Sequence, residues 1–157
     1  MGAPRPHVHT IPEGILPAKI LMVLSAAIVL MLGAAHLYYT FQGPLLTPRD
    51  PALQSSMTRI SPVISNQTTM WRCWVGFNAS HSMALLLFGL VFGFLALAHG
   101  PLLFQSPFLL AVGLAMLTGL AALCKLYFFS GPLTWVGVAW VCYVASIALS
   151  RLSIVRA

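Results

Sequence analysis

Residues 16–41 read LPAKILMVLSAAIVLMLGAAHLYYTF, and this stretch decides the fold. Lys19 near its start is its one Lys or Arg, it holds no acid, and its length is within or slightly beyond the ~17–25 residues that a bilayer-spanning helix needs. Hydrocarbon cannot hydrogen-bond the peptide groups, so only helices and closed barrels cross it. A run this continuous lacks the in-out alternation of a barrel strand. Three further apolar runs follow, at about 71–98, 107–129 and 133–150. The expected fold is therefore all-α, an integral membrane four-helix bundle occupying one domain, 1–157. Composition agrees, with 59% apolar and 6% charged residues and a mean hydropathy of +0.92, far from a soluble domain.

The connections carry signals of their own. Gly100-Pro101 and Gly131-Pro132 are expected to mark tight turns, since glycine readily ends a helix and proline cannot continue one. The stretch from Gln42 to Met70 is too long to be a structureless loop in a compact domain. Asp50 followed by Pro51 has the N-cap and first-position chemistry of a helix start, and Leu53, Met57 and Ile60 then recur at helical spacing until Pro62. A short amphipathic helix at about 51–60, lying on the membrane surface, is expected there. Residues 1–14 contain three prolines and show no apolar periodicity, so they read as an extended lead-in, with His7 and His9 as exposed tail residues rather than a metal pair. Arg5 and Lys19 before an apolar run ending at Gly33-Ala34-Ala35 imitate a cleavable signal, but the run is taken as a retained first span. Pro6, standing where Ser or Thr would be needed, speaks against N-myristoylation.

Charge excludes several function classes. The two acids, Glu13 and Asp50, lie near opposite margins of the membrane domain, so paired-carboxylate catalysis cannot be built within one chain. The net charge of +6 comes from eight Lys and Arg scattered singly at helix ends, without the basic patch that nucleic acid requires. Cys73, Cys124 and Cys142 are odd in number and lack C-x-x-C spacing; neither a disulfide framework nor a zinc site is signalled, and all three are expected to be small buried residues. Arg5, Lys19, Arg151 and Arg156 flank one side and Arg49, Arg59, Arg72 and Lys125 the other. Setting aside Arg72 and Lys125 as partly intramembrane leaves an excess on the side of the termini, which points to both termini in the cytoplasm.

The polar residues of the spans are expected to gather at one end of the bundle. Antiparallel neighbours bring the ends of spans one and three beside the starts of spans two and four. His36 then lies ~7–8 Å inside the margin, His81 ~15 Å and Lys125 about 6 Å, at 1.5 Å per helical residue. By helical phase, Ser25, Gly33, His36 and Thr40 share a face of span one; Trp74, Asn78, His81, Ser82 and Leu85 one of span two; Thr118, Ala121, Ala122 and Lys125 one of span three; Trp135, Ala139, Cys142 and Ser146 one of span four. Each stripe is expected to face the bundle interior, because lipid offers no partner to an amide or imidazole. Gly89-x-x-x-Gly93 reads as a close-packing motif.

His36 and His81 are the minimum for two axial imidazoles on haem b, or for part of a metal site, and equally for an interhelical hydrogen-bonded pair. Trp71, Trp74, Trp135, Tyr38, Tyr39 and Tyr127 read as an interfacial belt, with a stacking platform for a quinone as the alternative. Lys125, at a helix C-terminus, is placed to snorkel. Asn78-Ala79-Ser80-His81-Ser82 offers serines without an orienting acid, and the spans contain neither an acid nor an internal repeat of transporter type.

The strings His36-Leu37-Tyr38-Tyr39-Thr40-Phe41, Pro48-Arg49-Asp50 and Thr68-Thr69-Met70-Trp71-Arg72-Cys73-Trp74-Val75-Gly76-Phe77-Asn78-Ala79-Ser80-His81-Ser82 resemble a family of small bacterial four-span membrane proteins of uncharacterised function. The resemblance implies a bacterial inner membrane and supplies no activity, cofactor or catalytic residue. The expected function is a small non-enzymatic accessory subunit, without a cofactor, packing against membrane lipid and other integral membrane subunits. The alternative is a bundle that binds haem b or a quinone with His36, His81, Asn78, Trp74 and Lys125 as its walls.

Overall fold

A computed structural model describes residues 15–156. Six helices follow one another: α1 (Ile15–Phe41), α2 (Pro51–Arg59), α3 (Met70–Ala98), α4 (Gly100–Gln105), α5 (Pro107–Tyr127) and α6 (Ser130–Arg156), with no strand among the described residues. α1, α3, α5 and α6 are long and apolar enough to cross a membrane. The protein is an all-α four-span bundle with the short helix α2 between its first two spans. The lead-in at 1–14, with His7 and His9, lies outside the described residues.

Local chemistry sets the helix starts. The Asp50 carboxylate accepts from Ala52 N–H at 2.9 Å to begin α2, the Thr69 hydroxyl accepts from Arg72 N–H at 3.4 Å to begin α3, and the Ser106 hydroxyl accepts from Leu109 N–H at 3.3 Å to begin α5. Each satisfies a first-turn donor that has no partner within its helix. The two Gly-Pro pairs behave differently from the turns expected of them. Pro101 opens the extra turn α4, and Gly131-Pro132 fall inside the first turn of α6. Proline has no N–H to lose in a first turn and its φ is already helical, so it starts these helices instead of separating them. As a result the third span ends at Tyr127, and the fourth begins at Ser130.

α1 is the central helix, packed most extensively on α3 and next on α6; α5 packs on α6, and α3 and α5 make no extensive backbone contact. The α1–α3 seam is close because glycine lines it on both sides. A Cβ on Gly33 would come within 2.8 Å of the Leu85 Cβ. One on Gly89 would lie 2.8 Å from the Ala26 carbonyl oxygen and 2.9 Å from the Leu30 Cα, so only glycine lets the two backbones approach this far.

The gathering of polar residues at one end holds for imidazole and amide but not for hydroxyls. Ser25 donates to the Ala139 carbonyl at 2.7 Å, Ser146 to the Ala18 carbonyl at 2.6 Å, and Tyr143 to the Leu110 carbonyl at 3.0 Å, all buried in the middle and far half of the bundle. A hydroxyl is small and rotates freely to find a carbonyl, so it can be satisfied at any depth. The stripe of the third span is also turned from its expected phase, while that of the fourth keeps Ala139 and Ser146 inward but not Trp135. α5 buries Leu110, Gly113, Leu117, Leu120 and Cys124, leaving Thr118, Ala122 and Lys125 exposed. α6 buries Val136, Ala139, Tyr143, Ser146 and Ser150, while Trp135 is 55% exposed. One residue is about 100° of helical rotation, so an inward face judged by polarity is displaced whenever apolar packing outweighs a few polar atoms. Cys124 is buried as expected, Cys142 is half-buried and Cys73 is exposed on the first turn of α3. At the far margin Lys19 donates to the Leu97 carbonyl at 3.3 Å, where a cation complements the C-terminal end of α3.

A cavity lined by imidazoles at the polar end

α3 and α5 are joined at the far margin by α4 and meet in that half of the bundle, where the Phe92 ring lies against Gly113. At the other margin, the space between them is a cavity of about 400 Å³, within the ~300–1,000 Å³ typical of small-molecule pockets. Its walls come from four helices and a loop: His36 on α1, Trp74, Asn78 and His81 on α3, Leu120 and Cys124 on α5, Val136 on α6, and Leu45 and Leu46 above, with Phe128 and Phe129 from the α5–α6 connection.

A hydrogen-bond relay holds the polar wall. Trp74 Nε1 donates to the Leu46 carbonyl at 2.9 Å, which ties the loop to α3. The Asn78 amide nitrogen donates to the Trp74 carbonyl at 2.8 Å. A carbonyl only accepts, so that bond fixes the amide's orientation and leaves Oδ1 toward His36. His36 Nε2, 3.0 Å from Oδ1, is therefore the protonated nitrogen and donates. Asn78, 7% exposed, thus both donates and accepts.

His81 is placed differently. Its ring meets the His36 ring edge to face, with centroids 5.3 Å apart and planes at 77°. It makes no hydrogen bond to any described residue, and its nitrogens are not sealed off as buried orphans. They face open space on a half-buried side chain that lines the cavity.

The chain matches no family model, no curated protein and no solved structure. The likeness to small bacterial four-span proteins therefore rests on the residues that carry it and adds nothing to this site.

Of the expected site residues, the structure brings together His36, Asn78, His81 and Trp74 and leaves Lys125 out. Lys125 is exposed, next to Cys124, which is the residue of that turn facing the cavity. Leu46, Leu120, Phe128 and Val136 were not marked by the sequence; they carry no polar atom by which periodicity could single them out. Haem b does not fit between the imidazoles. A bis-imidazole iron needs the rings on opposite sides of a macrocycle, whereas these rings touch and Asn78 already holds His36 Nε2. The described residues hold no group of three or more His, Cys, Asp or Glu arranged for a metal ion.

Proposed function

We propose that the protein is a membrane-embedded binding bundle that takes a small, lipophilic molecule into the cavity at its polar end. The observation that carries this is His81: an imidazole on the wall of a largely apolar cavity, with no hydrogen bond to any described residue. An intramembrane polar group is expensive to leave unpartnered and is a functional candidate by default. A relay that orients His36 and fastens the loop above the cavity supports a preformed site. Part of the small-residue surface of the spans is used inside the chain, in the Gly33 and Gly89 seam. Gly76, Gly119 and Gly137 have open space about them, and they favour a subunit role as the second reading.

The resemblance supports a bacterial inner membrane, and the Lys and Arg count, with Arg72 and Lys125 set aside, supports termini on the cytoplasmic side. Purification from the native membrane in mild detergent, followed by mass spectrometry of the organic extract and of any co-purifying protein, tests both roles. A neutral lipophile present in roughly one-to-one ratio, and depleted when Leu120→Phe crowds the cavity wall, is the expected result. Stoichiometric recovery of another membrane protein, with an extract that holds bulk lipid alone, would instead leave the subunit role.

A further inference from the structure

If the cavity is a ligand site, its chemistry narrows the ligand, and we infer that the occupant is a neutral quinone or the corresponding quinol. No Lys, Arg, Asp or Glu is among the residues that line it. A carboxylate or phosphate headgroup brought into this apolar space would find no counter-charge, and burying an unpaired ion is prohibitive. The occupant is therefore uncharged.

Its polarity is also one-sided. His36, Asn78 and His81 come from α1 and α3, and the lining from α5, α6 and the connection between them is apolar but for the Cys124 thiol, with Leu120, Val136 and the two rings Phe128 and Phe129. Only one polar edge of the ligand can be read. On the polar side, Asn78 Oδ1 and His36 Nε2 are committed to each other, whereas both ring nitrogens of His81 make no hydrogen bond to any described residue and are open to a ligand.

A neutral imidazole presents one N–H donor and one acceptor nitrogen. It can donate to a carbonyl oxygen and, with the other nitrogen, accept from a hydroxyl, so the same side chain recognises both members of a ketone and hydroxyl pair. Aromatic rings at several points of the wall, Tyr39, Trp74, Phe128 and Phe129, favour a flat ring. A flat, neutral ring with a carbonyl or hydroxyl at one edge is a quinone or quinol head. Because α3 and α5 lack extensive contact on this side of the bundle, an apolar tail can leave between them into the hydrocarbon.

The test uses the full chain in nanodiscs of uncharged phospholipid, a benzoquinone bearing a ten-carbon tail as probe, and quenching of tryptophan fluorescence, to which Trp74 on the cavity wall contributes. Saturable quenching is expected, about tenfold weaker in His81→Leu, as loss of one hydrogen bond implies. His81→Gln, which keeps a donor and an acceptor, should return binding to within about threefold of the original. Lys125→Gln should leave it unchanged. Circular dichroism of each variant separates lost binding from lost folding. Quenching that rises without saturation, or saturates equally in His81→Leu, overturns the quinone assignment. The uncharged dye Nile red distinguishes the two levels of failure. If it binds saturably, is weakened by Leu120→Phe and is not displaced by the quinone, the cavity is a ligand site for another class of molecule. If it does not bind saturably either, the ligand site itself is refuted.

Discussion

The two halves of the bundle solve the problem of intramembrane polarity in opposite ways. In the half away from the cavity, the buried hydroxyls of Ser146 and Tyr143 each bond to a carbonyl of another helix, Ala18 and Leu110, and that of Ser150 bonds to Ile147 on its own. Tyr143, with no exposed surface, packs edge to face on Phe92 with centroids 5.9 Å apart, and Gly113 leaves room for both rings. On the cavity wall the polar groups include imidazole and amide, the relay runs along one side, and His81 makes no hydrogen bond to any described residue. Close packing excludes a ligand, and incomplete packing beside an unsatisfied donor and acceptor invites one. The difference separates residues that hold helices together from residues available for recognition.

The sharpest way to break this contrast is to add volume to each half. Gly113→Ala places a methyl group where the Tyr143 hydroxyl and the Phe92 ring already sit. Despite the better helix propensity of alanine, it is expected to cost about 1–2 kcal/mol, as overpacking does in a filled core, measured by reversible unfolding in mixed micelles followed by circular dichroism. Tyr143→Phe keeps the ring and deletes the donation to Leu110. In the same measurement it should cost about 0.6–1 kcal/mol, the worth of one interhelical hydrogen bond in a membrane bundle. Leu120→Phe adds volume on the cavity wall, where about 400 Å³ is available. It should shift stability by less than about 0.5 kcal/mol. Equal costs for Gly113→Ala and Leu120→Phe would mean that both halves are equally filled, and the contrast would be lost.

How far the site was legible depended on the kind of residue. His36, Asn78 and His81 could be placed together from spacing, because α1 and α3 are antiparallel neighbours and an imidazole or amide in lipid has only one tolerable direction. Lys125 was drawn into the same group by depth, yet it sits one residue beyond Cys124, and its long stem can carry the charge to the margin from an outward face. The hydroxyls misled in the other direction. Serine can bond to its own helix, as Ser82 does to the Asn78 carbonyl at 2.9 Å, or across to another, as Ser25 does, and the sequence does not distinguish the two. Tyr143 was invisible for a related reason: as one aromatic in an apolar run it looks like any lipid-facing ring until its hydroxyl finds Leu110.

Run length and the absence of acids within the runs were sufficient for four spans and the all-α class, because hydrocarbon leaves the backbone no other way to satisfy itself. Asp50 and Pro51 were sufficient for the start of α2, because capping is a local bond. The cavity needed the packed bundle. Helix phase is set by which neighbours interlock, and the glycine seam that draws α1 onto α3, together with the lack of extensive contact between α3 and α5, is a property of pairs of helices that no single span encodes.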